Sequence, residues 1–522
     1  MRSNRYIYIT LLTVLGLSPE VLLAQEKIKY APRLVVSITI DQLRTDYLEA
    51  FSPLYGSDGF KRLLTKGLVY ENASYPFNVS DGTSAISSVV TGVTPYYHSI
   101  IGKQWLNKET LRPIHCTDDP KQAGLDAPTQ LQVSTLGDEL KVATQGQARI
   151  FAIAPTKEMA ILAAGHAADG AFWLDDQEGL WKGSQYYSRN TPNWILSTNE
   201  LQSPSRRIKN VFWTPVIELA GTYNYYQHAD GQKPFKHGFK GERKFIEYKA
   251  SGLINTDITD MAQNCVSNEG AGYDRVTDLL CLTYYAGTYD HKPVSDCQME
   301  LQDTYVRIDR ELSRLIKGLE SKLGAEHLLF VLTSTGYCDE ENTDYQKYRI
   351  PTGTFYMDRT ANLLNMYFGS IWGQGRYVET CFGNQIYLNH KLLESKRISL
   401  TDSGQRAQEF ISQLEGVRNV YTALQLINGN NPQIYKIRNS FNSERNGDIL
   451  IEVASGWHLV NENTHESQLS RAAFTQFPII FYGAGIEAER VKTAVTIDRI
   501  APTIAKTIRI RAPNACSAEP LF

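Results

Sequence analysis

The sequence predicts an α/β fold: a mostly parallel central sheet with helices on both faces, resembling a sandwich, plus an inserted cap. Three observations predict it. Several short apolar runs rich in β-branched residues read as buried strands. Helical patterns lie between them, and that alternation favours a parallel sheet covered on both sides. The chain is also long enough, at 522 residues with 42% hydrophobic and 21% charged, to bury a large core. Such a composition excludes a disordered, collagen-like or coiled-coil body. The 53 basic and 56 acidic residues give a net charge of -3. The basic excess of a nucleic-acid-binding domain is absent, so no nucleic-acid partner is expected.

The elements follow in chain order. MRSNRYIYITLLTVLGLSPEVLLAQEK has a positive start at Arg2 and Arg5, an apolar core over 7–17 and small residues before Gln25. It reads as a cleavable signal over 1–24, giving a periplasmic or secreted protein. Pro19 and Glu20 interrupt the apolar run, and no later stretch is long enough for a membrane span. RLVVSITIDQL (33–43) reads as a buried strand ending in the carboxylate Asp41. QARIFAIA (147–154), DLLCLTYY (278–285), HLLFVLTS (327–334) and FPIIFYGAG (477–485) have the same character. Tyr305, Ile308, Leu312, Leu315 and Ile316 set helical spacing over 302–323. A second helix is read over 497–508, with Pro502 early in it. Residues 176–275, rich in Tyr, Trp, Asn and Lys, are expected to form the cap. A smaller excursion is expected over about 375–470, with turns at NGNNPQ (428–433) and SERNGD (443–448). The seven cysteines (116, 265, 281, 297, 338, 381, 516) include no C-x-x-C, so zinc-ribbon spacing is absent. Cys281, in an apolar run, reads as a core thiol. In such a sheet the site lies at the C-terminal strand ends.

An ordered set of segments carries a resemblance. It comprises VVSITIDQLRTDYL (35–48), VVTGVTPYYHSIIGKQW (89–105), AILAAGHAADGAFWLDDQEGLW (160–181), LQDTYVRIDRELSRL (301–315), FYGAGI (481–486) and IDRIAPTIAKTIRIRAPN (497–514). Together they resemble the alkaline phosphatase superfamily, and within it the periplasmic phosphate-irrepressible alkaline phosphatases of Bacteroidetes. The resemblance implies an ancestral phosphate-ester site with two zinc ions about 4 Å apart clamping the attacking and leaving oxygens. Such a site needs roughly six Asp and His ligands and a metal-activated Thr or Ser.

Each implied position can be asked for in turn. The first ligand is retained as Asp41, although an Asp at a strand end is also an ordinary N-cap. Aligning the Thr-x-x-Gly-His-x-Ser-x-x-Thr-Gly pattern on Ser88, Thr91 and Gly92 puts Ile86 at its His and Gly82 at the nucleophile. Ser80 and Thr83 are the nearby hydroxyls, and a helix-start hydroxyl is commonly a cap. In AGTYDHKP (286–293), Thr288 takes the Asp position and Lys292 the His position. A one-residue shift offers His291, with Asp290 beside it. In LTSTGYCDE (332–340), Thr335 and Gly336 stand where Asp-His is required, and neither supplies what zinc wants. Gln476, or Phe477 with a shift, replaces the late His. For the phosphate contacts, Lys103 replaces an Asn, and Thr156 and Glu158 replace a Lys-x-Arg pair. Glu158 reverses a charge that would face phosphate.

The expectation is a non-catalytic secreted relative, without a cofactor, that binds or assembles with a protein or glycan partner. The alternative is a metal-dependent phosphate-ester hydrolase, a phosphomonoesterase or phosphodiesterase. It would hold zinc in a site rebuilt from Asp41, Asp290, His291, Asp339, His458 and His465. A third reading places a glycan- or peptide-binding surface on YNYYQHADG (223–231), SQYYSRNTPNW (184–194) and FWTP (212–215), against the plainer alternative of cap packing.

Overall fold

The computed structural model describes residues 31–217, 235–338, 345–470 and 475–522. The expected signal, 1–24, lies outside them. The central sheet has ten strands. In chain order they are β1 (Leu34–Asp41), β2 (Leu68–Ser74), β3 (Ile150–Ala154), β4 (Gly170–Leu174), β5 (Trp181–Gly183), β6 (Asp278–Tyr285), β7 (Leu328–Ser334), β8 (Phe477–Gly483), β9 (Glu489–Val491) and β10 (Val495–Thr496). Their spatial order is β9-β2-β8-β7-β1-β6-β3-β4-β5, with β10 also on β2. The block β7-β1-β6-β3-β4 is parallel. β8 runs antiparallel between β7 and β2, and β5 runs antiparallel on β4. All five apolar runs read as strands are therefore strands of one mixed, mostly parallel sheet.

Alternation along β1 explains the layers. Leu34, Val36, Ile38 and Ile40 enter one core with the helices α3 (Ile254–Glu269) and α4 (Gln298–Leu323). Val35 enters the opposite core, with α1 (Gly82–Thr91), α2 (Lys157–Ala164) and α6 (Ile500–Thr507). Asp41 is in phase with Val35, so its side chain belongs to the α1 side. Between α4 and α6 the chain also forms α5 (Met357–Trp372).

The two expected excursions have different boundaries from those read in the sequence. Within 176–275, β5 joins the central sheet and α3 packs against the sheet, so neither stands apart as a cap. The smaller unit does have its own core and two small sheets, but that core already includes Phe355, Met357, Leu364 and Phe368. It begins with the strand Thr354–Tyr356 and α5, ahead of residue 375, because Phe355 and the buried face of α5 close that core. Arg445 fastens this unit to the central body. It is buried, donates Nη2 to the Gln130 carbonyl at 2.9 Å and lies 4.3 Å over the Trp105 ring. Lys108 Nζ reaches the Ser443 carbonyl at 2.7 Å across the same junction.

None of the seven cysteines forms a disulfide among the described residues. Cys281 is buried in β6, and burial pushes its pKa up to about 12, so it is an inert core residue. Among the described residues no helix is long and apolar enough to cross a membrane.

Candidate functional site

The C-terminal ends of β1 and β7 meet the start of α1, and three of the aligned positions come together there. Asp41, buried at the end of β1, accepts a hydrogen bond on Oδ1 from the Thr335 hydroxyl at 2.8 Å. The Thr335 oxygen in turn accepts from the Gln42 backbone N–H at 3.1 Å. A Cβ built on Gly82 would lie 3.3 Å from Asp41 Oδ1 and 3.7 Å from Thr335 Cγ2. The retained Asp, the nucleophile position and the replaced Asp of the next strand are therefore neighbours, as the alignment requires.

Side chains crowd two of these positions, beside an open cavity of about 470 Å³ lined by Tyr75, Ser80, Gly336 and Phe477. The Cβ on Gly82 would lie 2.4 Å from Met159 Cε, so a methyl group occupies the place a nucleophile side chain would take. Gly336 is in the left-handed region at φ 63°, and a Cβ there would lie 2.6 Å from Tyr75 Cδ2 and 2.8 Å from Phe477 Cε1. The Tyr75 and Phe477 rings are 5.5 Å apart, with Phe77 5.3 Å from Tyr75, and all three are buried. Tyr75 donates its hydroxyl to the Ser334 carbonyl at 2.8 Å, which fixes the ring. At the late-His position Phe477 turns inward and Gln476 is exposed.

The nearby hydroxyls are engaged in capping. Asp81 is the N-cap of α1 and accepts from the backbone N–H of Thr83 at 3.0 Å and of Ser84 at 3.3 Å. Thr83 donates its hydroxyl to the same carboxylate at 2.5 Å, and Ser80 donates to the Ile101 carbonyl at 3.1 Å. Ile86, at the pattern's His, is buried in the core. After β6, Thr288 is buried and its hydroxyl has no hydrogen-bond partner. Asp290 and His291 both take left-handed backbone, at φ 49° and 55°. Asp290 accepts from Arg243 at 2.9 Å, and His291 is exposed with its ring 6.0 Å from that of Tyr285. Lys292 is exposed beside the Tyr289 ring.

Two of the three substituted phosphate positions pair with each other. Lys103 Nζ and His115 Nε2 each lie 3.0 Å from Glu158 Oε1. Burial opposes the Glu158 charge, but the His115 hydrogen bond and the Lys103 charge together hold its carboxyl well below the usual range. Thr156 precedes α2 as its N-cap residue, with no side-chain cap bond.

The donor set does not fit a two-zinc centre. Thr335, Gly336, Thr288 and Gln476 offer neither carboxylate nor imidazole at four of the required places. Among the described residues no three of His, Cys, Asp and Glu come together as a metal-holding group. Asp339 lies outside the described residues. His458 and His465 are exposed on a small three-stranded sheet off the central body.

The cap aromatics are mostly packed. Trp213 is fully buried and donates Nε1 to Asp303 at 2.6 Å. Tyr187 donates to the Gly165 carbonyl at 2.7 Å, and Trp194 donates to Glu269 at 2.6 Å. Phe212 is exposed, and 223–231 lies outside the described residues.

Sequence reasoning missed four residues: Asp81, His115, Met159 and Tyr75. Asp81 carried a signal, an Asp directly before a helix start. The other three act across long sequence separations, for which one sequence offers no cue.

Comparison with known proteins bears on the family and the fold. Residues 35–475 match the family model described as type I phosphodiesterase / nucleotide pyrophosphatase. The chain is 26% identical to alkaline phosphatase PafA of Elizabethkingia meningoseptica, over 94% of each chain. It is 28% identical to a protein of Myroides odoratus named calcium-transporting ATPase, over 96% of this chain and 95% of that one. A crystal structure of wild-type PafA superposes with a TM-score of 0.78 at 24% identity, covering 94% of this chain and 98% of that chain.

Proposed function

The chain belongs to the type I phosphodiesterase / nucleotide pyrophosphatase family, in the alkaline phosphatase superfamily, and from that premise we propose that it is a non-hydrolytic member. In this reading it is exported by its N-terminal signal and serves by binding or assembling with a protein or glycan partner. One observation carries the proposal: of the aligned strand-end positions, only Asp41 keeps a ligand side chain, and neighbouring side chains crowd Gly82 and Gly336. Asp41 is bonded to the Thr335 hydroxyl, Met159 sits against Gly82, and Tyr75 and Phe477 sit against Gly336. A metal-activated hydroxyl requires several anionic or imidazole donors around one open position. Among the described residues, the aligned positions here hold a single carboxylate, a threonine and a glycine.

The deciding test is the metal content of purified mature protein after passage through zinc buffer, with assays on phosphomonoester, phosphodiester and sulfate-ester substrates. The expected result is far less than one zinc per chain and no hydrolysis above that of Asp41→Ala. About two zinc ions per chain, with hydrolysis lost in Asp41→Ala, would overturn the reading in favour of a rebuilt metal site.

A further inference from the structure

We propose that Glu158 is a built-in ligand: its carboxylate occupies an oxyanion cradle made by Lys103 and His115 and keeps phosphate and similar anions out of it. The inference rests on the reading of the chain as non-hydrolytic and adds what now holds the anion-binding place.

The cradle is built independently of Glu158. Lys103 and His115 stand at the two roots of a short hairpin, Gln104–Leu106 paired with Pro113–His115, in which Gln104 lies opposite His115. The Cys116 N–H donates to the Lys103 carbonyl at 2.9 Å, closing the base of that hairpin. The Lys103 N–H donates to Asp81 Oδ2 at 2.7 Å, which ties the same root to the N-cap of α1. The far ring nitrogen of His115 lies 3.0 Å from the Thr117 hydroxyl, which donates to Asp126 at 3.1 Å. Asp126 also meets Lys157 at 2.8 Å. The His115 ring is thus held by polar groups of its own and the Lys103 backbone by Asp81 and Cys116, while Lys103 Nζ reaches the same point on an exposed side chain.

The occupant is also well placed. Glu158 lies in the first turn of α2, one residue before the Met159 that packs against Gly82. Its side chain is 6% exposed and that of His115 13%, while that of Lys103 is 59% exposed. A carboxylate only accepts hydrogen bonds, so both partners donate to one oxygen, the geometry a phosphoryl or sulfuryl oxygen would use. Removing the carboxylate leaves an exposed lysine and a partly buried imidazole donor aimed at one point with no anion between them. The imidazole N–H then lacks its acceptor, and an external oxyanion beside the lysine charge restores one.

The test measures binding of inorganic phosphate by calorimetry and phosphorus NMR to the full mature chain. The wild type is expected to show no saturable binding. Glu158→Ala is expected to bind phosphate at least ~10-fold more tightly, which is about 1.4 kcal/mol. Glu158→Gln, which keeps the shape, should gain in the same direction by less, and serves if the alanine variant does not fold. Adding Lys103→Ala to either should erase the gain. A further readout needs no variant: phosphate should leave the His115 ring nitrogen signals of the wild type unmoved. Movement of those signals, or folded Glu158 variants with no gain, overturns the inference. Ester hydrolysis by the wild type would instead overturn the functional reading, so the two failures are told apart.

Discussion

At the residue scale, Thr335 shows how a lost ligand position becomes a structural one. Its hydroxyl donates to Asp41 and accepts from the Gln42 N–H, so it supplies one hydrogen bond to a buried carboxylate and takes up a buried N–H. Thr335→Val is expected to destabilise the fold by about 1–3 kcal/mol in urea titration, while Thr335→Ser stays close to wild type. His98 makes a second residue-scale prediction. It is fully buried between the Ser88 hydroxyl at 2.9 Å and the Ile100 N–H at 3.1 Å. Burial, with the Arg445 charge adding to it, pushes its pKa from 6.5 down to about 3. The unfolded chain takes up this proton near 6.5 and the folded chain does not until about 3. Stability therefore falls as pH drops through that window, by about 1.4 kcal/mol per pH unit for this group. His98→Asn should lose that component of the acid slope in urea titrations at several pH values. The sequence located Thr335 and Gly82 because the family pattern is local. It did not show that they touch, since Asp41 and Thr335 are 294 positions apart.

At the scale of elements, the apolar strands were legible because both faces of β1, β6 and β7 are covered, which demands continuous apolar runs. The helix α3 was not, because polar residues interrupt its pattern. Asn255 is fully buried and its side-chain amide exchanges two hydrogen bonds, each 2.8 Å, with the Tyr285 backbone. A buried, satisfied amide reads in sequence as a surface residue. The smaller unit began earlier than expected for a related reason: the closing face of α5 (Ala361, Leu364, Phe368) alternates with exposed Leu363 and Met366, which hides its polarity. Arg445 joins the two bodies through a carbonyl and an aromatic face. Arg445→Ala is expected to cost roughly 1–2 kcal/mol and to raise amide exchange across 355–459 before the central sheet loosens.

At the scale of the whole molecule, stability should be independent of metal. Metal-built folds unfold when chelated, whereas here apolar cores lie on both faces of the sheet and around the smaller one. The melting temperature is expected to be the same in EDTA and in zinc buffer. A saturable rise with zinc would mean the folded chain binds it. The overall architecture was readable because segment order is preserved along nearly the whole chain. What fills the vacated volumes was not readable, because Met159, Tyr75 and Phe477 take their meaning from three-dimensional neighbours.

The packing at Gly82 and Gly336 bears on redesign. A threonine reintroduced at 82 meets the Met159 methyl, and an imidazole reintroduced at 336 meets the Tyr75 and Phe477 rings. The flexible end of Met159 can give way to a new side chain at 82, whereas the buried Tyr75 and Phe477 rings leave no such room at 336. An engineer rebuilding a ligand at 336 must therefore change the wall with it, while position 82 can be tested alone.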